Sequence, residues 1–148
     1  MSRPPLHDVA HLGYLELLTP EFDKSLWFFT DVLGLTVVSS QGTSAYLRTW
    51  DDYERHTVKL TGHSTSGLAR VGMRAESQEA LERRVKAVEA SGLGIGWKDG
   101  DPGIGPTYAF YDPDGQHHRR VPRNDRDLRE QRNARRCGRG EQLRQDRL

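Results

Sequence analysis

The chain is 148 residues long, enough for one domain of ordinary size or two very small ones. Apolar residues make up 34% and charged residues 29%, no apolar run approaches the roughly 20 residues of a membrane span, and the opening MSRPPLHDVA lacks a signal-peptide core. Cys137, the single cysteine, excludes an internal disulfide and a cysteine-built zinc site, so the expectation is a soluble, cytoplasmic protein.

The net charge of +1 conceals a division. Residues 1–115 carry 11 Lys/Arg and 16 Asp/Glu, whereas residues 116–148 carry 11 Arg, no Lys and 5 Asp/Glu. Only six of the last 33 residues are apolar, too few to offset an ordering cost of roughly 1–2 kcal/mol per residue. The expected division is a folded domain over 7–115 and an Arg-rich tail over 116–148, disordered or altered in reading frame. Arg enrichment without Lys is what GC-rich coding DNA produces out of frame, the reading favoured here over a solvated extension. A phosphate-binding arm is disfavoured because no aromatic residue for base stacking follows Tyr111.

In chain order, His11–Leu18 alternates as a strand, with Leu12, Tyr14 and Glu16 assigned to one face. Thr19-Pro20-Glu21 reads as a helix start, and Leu26, Phe29, Val32 and Leu33 recur at helical spacing up to a Gly34 cap. Trp27, Phe28 and Phe29 are expected in the helix core and at an interdomain contact. Strands follow at 35–39, 43–50 and 56–61. The pattern then repeats: a strand at 67–74, a helix opened by Ser77 and closed by Gly92, a short strand at 93–97, a Gly/Asp/Pro loop at 98–106, a strand at 107–111 and the turn Asp112-Pro113-Asp114-Gly115. Duplication at a spacing of about 58–59 residues, which aligns His11 with Arg70, gives two β-α-β-β-β units. The last strand has to come from Gln116–Pro122, which has one branched apolar residue and a proline, so its loss is expected.

HLGYLELLTP, SLWFFTDVLGL, YLRTWDDYERHTVKLT and YAFYDPDG resemble the vicinal oxygen chelate (glyoxalase/bleomycin resistance) superfamily. More closely, over residues 7–115, they are similar to the N-terminal domain of type I extradiol dioxygenases, the catechol 2,3-dioxygenase family. The resemblance implies an α+β fold of paired βαβββ modules and a two-domain, homo-oligomeric subunit. In it, a C-terminal domain holds Fe(II) on two His and one Glu and opens an aromatic catechol with O₂. The chain read this way is an N-terminal domain or truncated form of such an enzyme, inactive alone. The alternative is a stand-alone dimeric module of the same fold, holding a flat small molecule without metal in an apolar cup.

The resemblance implies three ligand positions in an active pair of modules. The first is His11, the lone metal-ligand candidate, for which a hydrogen-bonded strand-end role is favoured. The second is Arg70, which cannot ligate. The third, after Gly115, offers Arg119 and Arg120 rather than a carboxylate, and adjacent His117 and His118 point to opposite faces of a strand. A glyoxalase-type site would also need a carboxylate near Lys59. No catalytic or cofactor-binding residue is assigned. His56 and His63 read as surface residues, and Asp51, Asp52 and Glu54 as a solvated loop.

Overall fold

The computed structural model describes residues 7–115 and 117–121. Strand β1 runs Val9–Thr19, helix α1 Phe22–Trp27 continues as a π-helical stretch Phe28–Val32, and β2 (Thr36–Gln41), β3 (Ser44–Arg48) and β4 (Val58–Gly62) complete the first unit. The second unit is β5 (Gly67–Ala75), α2 (Gln78–Ser91), β6 (Gly94–Lys98), β7 (Thr107–Tyr111) and β8 (His117–Val121). All eight strands form one sheet in the order β2-β3-β4-β1-β5-β8-β7-β6. Each half thus has its first strand parallel to its last, and the halves meet through antiparallel β1 and β5. This is the expected α+β arrangement of paired βαβββ modules.

The last strand forms, contrary to expectation. β8 lies between β5 and β7, with Gly72 opposite Arg119 and Ala109 opposite Arg119 on its two sides. The reason is that a slot between two strands satisfies backbone N–H and C=O groups whatever the side chains, and a missing strand there would leave two ladders unpaired. The expected boundary at 115 therefore gives way to a strand that reaches Val121. The tail assigned to 116–148 lies, from 122 onward, outside the described residues.

Helix α2 follows its signals. Ser77 Oγ accepts from the Ala80 amide at 3.1 Å, Gly92 takes the left-handed cap at φ 76°, and Ala80, Leu81 and Val85 are buried. Leu81 and Val85 pack with Ala75 and Tyr108 as one apolar cluster. Helix α1 departs from its signals. Thr19 closes β1 instead of capping the helix, its hydroxyl accepting from the Glu21 amide at 3.2 Å. The helix starts at Phe22 and widens where the Thr30 hydroxyl donates to the Leu26 carbonyl and the Leu33 amide reaches back to Phe28. No residue of α1 or of the π-helical stretch is buried: Trp27 and Phe28 are exposed rather than core. Among the described residues, no helix is long and apolar enough to cross a membrane.

Candidate functional site

The duplication has a different period from the one read in sequence. The strand ends Thr19 and Ala75 and the helix starts Phe22 and Gln78 are both 56 positions apart. Leu15 and Val71 face each other across the junction. Arg70 is therefore not the counterpart of His11. It stands opposite Glu16, whereas His11 stands opposite Arg74.

A bulge at Gly13 also resets the faces of β1. Leu12 pairs with Met73 and Tyr14 with Gly72, so one residue of β1 has no opposite. Tyr14 and Glu16 remain on one face, Leu12 turns out to 58% exposure, and His11 joins Tyr14 and Glu16 instead. The sequence assignment of Leu12 to the Tyr14 face fails for this reason: simple alternation carries no bulge.

On that shared face the ladder lines up a row of polar groups. Tyr46 on β3 faces Lys59 on β4, Lys59 faces Glu16 on β1, and Glu16 faces Arg70 on β5. Glu16, Lys59 and Tyr46 are buried. Arg70 Nε is ion-paired with Glu16 Oε2, Lys59 Nζ lies 3.5 Å from Glu16 Oε1, and the Thr61 hydroxyl donates to Glu16 Oε1 at 2.9 Å. A second carboxylate arrives from the β6–β7 loop: Asp101 Oδ1 accepts from Lys59 Nζ at 2.6 Å and from the Tyr46 hydroxyl at 3.4 Å. Burial would lower the Lys59 ammonium, but Asp101 and Glu16 outweigh it and hold its pKa above the ordinary value. Burial would likewise raise Asp101, and Lys59 holds it below the usual carboxylate range. Two carboxylates and two cations thus neutralise one another.

His56 is buried at 2% exposure, not a surface residue as expected. Its ring lies 5.3 Å from that of Tyr14 and 4.8 Å from that of Tyr46, and among the described residues its Nε2 has no hydrogen-bond partner. Burial pushes its pKa down to about 4, so the ring is neutral. His63 is exposed, as expected.

The expected solvated carboxylate loop is also revised. Glu54 is buried: it accepts from Arg74 Nε at 2.8 Å, pairs again with Arg74 Nη2, and lies 2.7 Å from His11 Nε2. Burial would raise its carboxyl, but Arg74 and His11 hold it below the usual range. Asp52 Oδ2 accepts from the Thr49 amide at 2.7 Å and the Thr57 hydroxyl at 2.6 Å. Asp51 alone matches the expectation of an exposed group.

His11 thus meets one carboxylate, and that carboxylate is already held by an arginine. Among the described residues, no three His, Cys, Asp or Glu side chains converge as a metal-ligand set. The facing row offers Lys59 and Arg70 where a facial triad needs lone pairs, so these residues do not fit an Fe(II) ion. The expected apolar cup is a charged, buried row in this half. Sequence reading missed Glu16, Lys59 and Asp101 as one cluster. The available signal was a charged residue flanked on both sides by apolar residues within each of two predicted strands, Glu16 in HLGYLELL and Lys59 in HTVKLT.

Residues 11–117, which span the two βαβββ units, match a family model described as the glyoxalase/bleomycin resistance protein/dioxygenase superfamily, and the chain belongs to that superfamily. Within it, the chain resembles the N-terminal domain of an extradiol dioxygenase. It is 50% identical over 111 residues to a metapyrocatechase of Geobacillus stearothermophilus, covering 75% of this chain and 34% of that protein. It is 33% identical over 110 residues to a manganese-dependent 2,3-dihydroxybiphenyl 1,2-dioxygenase of Geobacillus genomosp. 3, covering 73% of this chain and 35% of that protein. An extradiol ring-cleaving dioxygenase from Brevibacterium fuscum superposes with a TM-score of 0.74 at 25% identity, over 82% of this chain and 36% of that one. The chain spans about a third of the length of the relatives it matches.

Proposed function

We propose that this chain serves as the N-terminal domain, or a truncated form, of an extradiol dioxygenase that cleaves catechol-type rings with O₂. In this reading Fe(II) and the catechol are held by the C-terminal portion of the relatives, beyond the matched third. The observation that carries the reading is the 50% identity to one third of a metapyrocatechase. The donor set of the described residues supports the division of labour. Lys59 and Arg70 already neutralise Glu16 and Asp101, leaving neither carboxylate of that row free for a divalent ion. The domain contributes packing and, in this reading, subunit assembly as a homo-oligomer in the cytoplasm.

The test is a chimera in which residues 7–121 replace the matching third of the Geobacillus metapyrocatechase. Retained ring opening of catechol, read as the yellow product, is the expected result. A chimera that folds and assembles but does not turn over catechol contradicts the assignment.

A further inference from the structure

The β6–β7 loop places one of its own side chains where a ligand would sit. Asp101 comes from the second unit but makes its polar contacts in the first, with Lys59 and Tyr46. Among the described residues its Oδ2 is buried and has no hydrogen-bond partner, and Nε2 of His56, whose ring lies 4.8 Å from that of Tyr46, is likewise buried and unpartnered. Unpartnered groups of this kind are uncommon in a filled interior. They mark a polar cluster whose present occupant satisfies only part of it.

The loop is built to deliver that occupant. Its base closes where Gly100 meets Gly105, an approach a Cβ at Gly100 would block at 1.7 Å from the Gly105 carbonyl oxygen. Gly103, at φ +79°, lies against the Arg55 side chain. Ile104 donates its amide to the Asp101 carbonyl at 2.9 Å and buries its side chain with Tyr14. Without Asp101, the row of Lys59, Glu16 and Arg70 carries a net single positive charge in a buried setting. Such a charge is costly unless an anion meets it.

We propose that Lys59, Tyr46 and His56 form a binding site for a small monocarboxylate, and that Asp101 is its built-in occupant. This goes beyond the role proposed above and does not depend on it. The ligand class follows from the contacts. One ammonium and one phenol converge on a single carboxylate oxygen, and the His56 ring sits edge-on to that phenol with its centroid 4.8 Å away, a further polar group at the edge of the site. A doubly charged phosphate would bring more negative charge than the one unmatched cation balances.

Acetate is the side chain that Asp101→Gly removes, and it is the probe. Thermal unfolding of the full chain is measured in sodium chloride and in sodium acetate at equal ionic strength. Wild type should respond equally to both salts. Asp101→Gly should melt lower in chloride and recover by about 5 °C in acetate, saturating with concentration as a binding site does. Adding Lys59→Met to Asp101→Gly should abolish the acetate response. An Asp101→Gly protein that responds equally to both salts, or an acetate response that survives Lys59→Met, overturns the proposal. If Asp101→Gly does not fold in chloride, refolding from urea is compared in the two salts. Recovery in acetate alone supports the site, and recovery in neither overturns it.

Discussion

Arg74 on β5 donates from Nε to Glu54 Oε1 at 2.8 Å and pairs again through Nη2, so the first strand of one unit grips the β3–β4 loop of the other. Arg74 is 7% exposed, and a guanidinium there cannot lose its charge. Glu54→Ala should therefore destabilise the protein by about 3–5 kcal/mol, the cost of stranding one partner of a buried pair. His11→Ala should cost less than about 1 kcal/mol, because the His11 side chain is 45% exposed and the fork survives without it. Urea unfolding of the two variants checks the contrast. Glu54 is held below its ordinary value of 4.5, so its contribution is present above that pH and is lost as pH falls through the lower folded value.

Gly72 lies under the Tyr14 ring. A Cβ at Gly72 would meet Tyr14 Cε1 at 2.3 Å and Cδ1 at 2.4 Å, distances no ordinary packing allows. Gly72→Ala should cost about 1–3 kcal/mol through overpacking. Combined with Tyr14→Leu, which clears the space above residue 72, the double variant should be more stable than the sum of the single losses implies. A double-mutant cycle by chemical denaturation measures this coupling, and strict additivity would show that the ring yields freely.

These relationships separate what was legible in the sequence from what was not. The α2 helix was legible because Ser77 and Gly92 act locally, within one turn of each end. The paired units were legible because strand and helix periods repeat. The faces of β1 beyond Tyr14 were not, since a bulge at Gly13 shifts register without altering composition. Asp101 and Lys59 are 42 residues apart and Glu54 and Arg74 are 20 apart, so local polarity made each carboxylate resemble a solvated loop residue. β8 was located at Gln116–Pro122 but expected to be lost, because its place is secured by backbone bonds to β5 and β7, which leave no trace in side-chain pattern.

His56 makes stability fall on mild acidification. Its folded pKa is about 4 against an ordinary 6.5, so between those values the unfolded chain takes up a proton that the folded chain refuses. Stability should be unaffected by this group above about pH 7 and should decline by up to about 3 kcal/mol as pH drops from 6.5 to 4. Glu54 and Asp101 add their losses lower, below the ordinary carboxylate range. His56→Phe keeps a ring between Tyr14 and Tyr46 and removes the titration. Unfolding free energies at pH 7.5, 6.0 and 5.0 should converge for the variant and diverge for wild type. A wild type that is flat from pH 7.5 to 5.0 contradicts a neutral buried imidazole.

The full chain, loaded anaerobically with Fe(II) and then given catechol and air, should form no yellow ring-opened product above a protein-free control. The reason lies in the charges that a divalent ion would meet. Glu16 and Asp101 are the inward carboxylates of the polar row, and each is paired with a fixed cation. Lys59 is held protonated by them, and Arg70 cannot deprotonate. Two unit charges 4 Å apart interact by about 4 kcal/mol at the effective dielectric of a protein surface, and a divalent ion doubles that repulsion. To seat iron, the row would have to expel both cations from a buried position, breaking the pairs that neutralise them. His11 provides no route around this, because its one carboxylate neighbour, Glu54, is held by Arg74. Lys59→Met should weaken folding without creating turnover, because one donor gained does not build a triad that presents adjacent open positions to catecholate and O₂. Ring cleavage by the wild-type chain that disappears in His11→Ala would reverse this conclusion and locate an iron site at the start of β1.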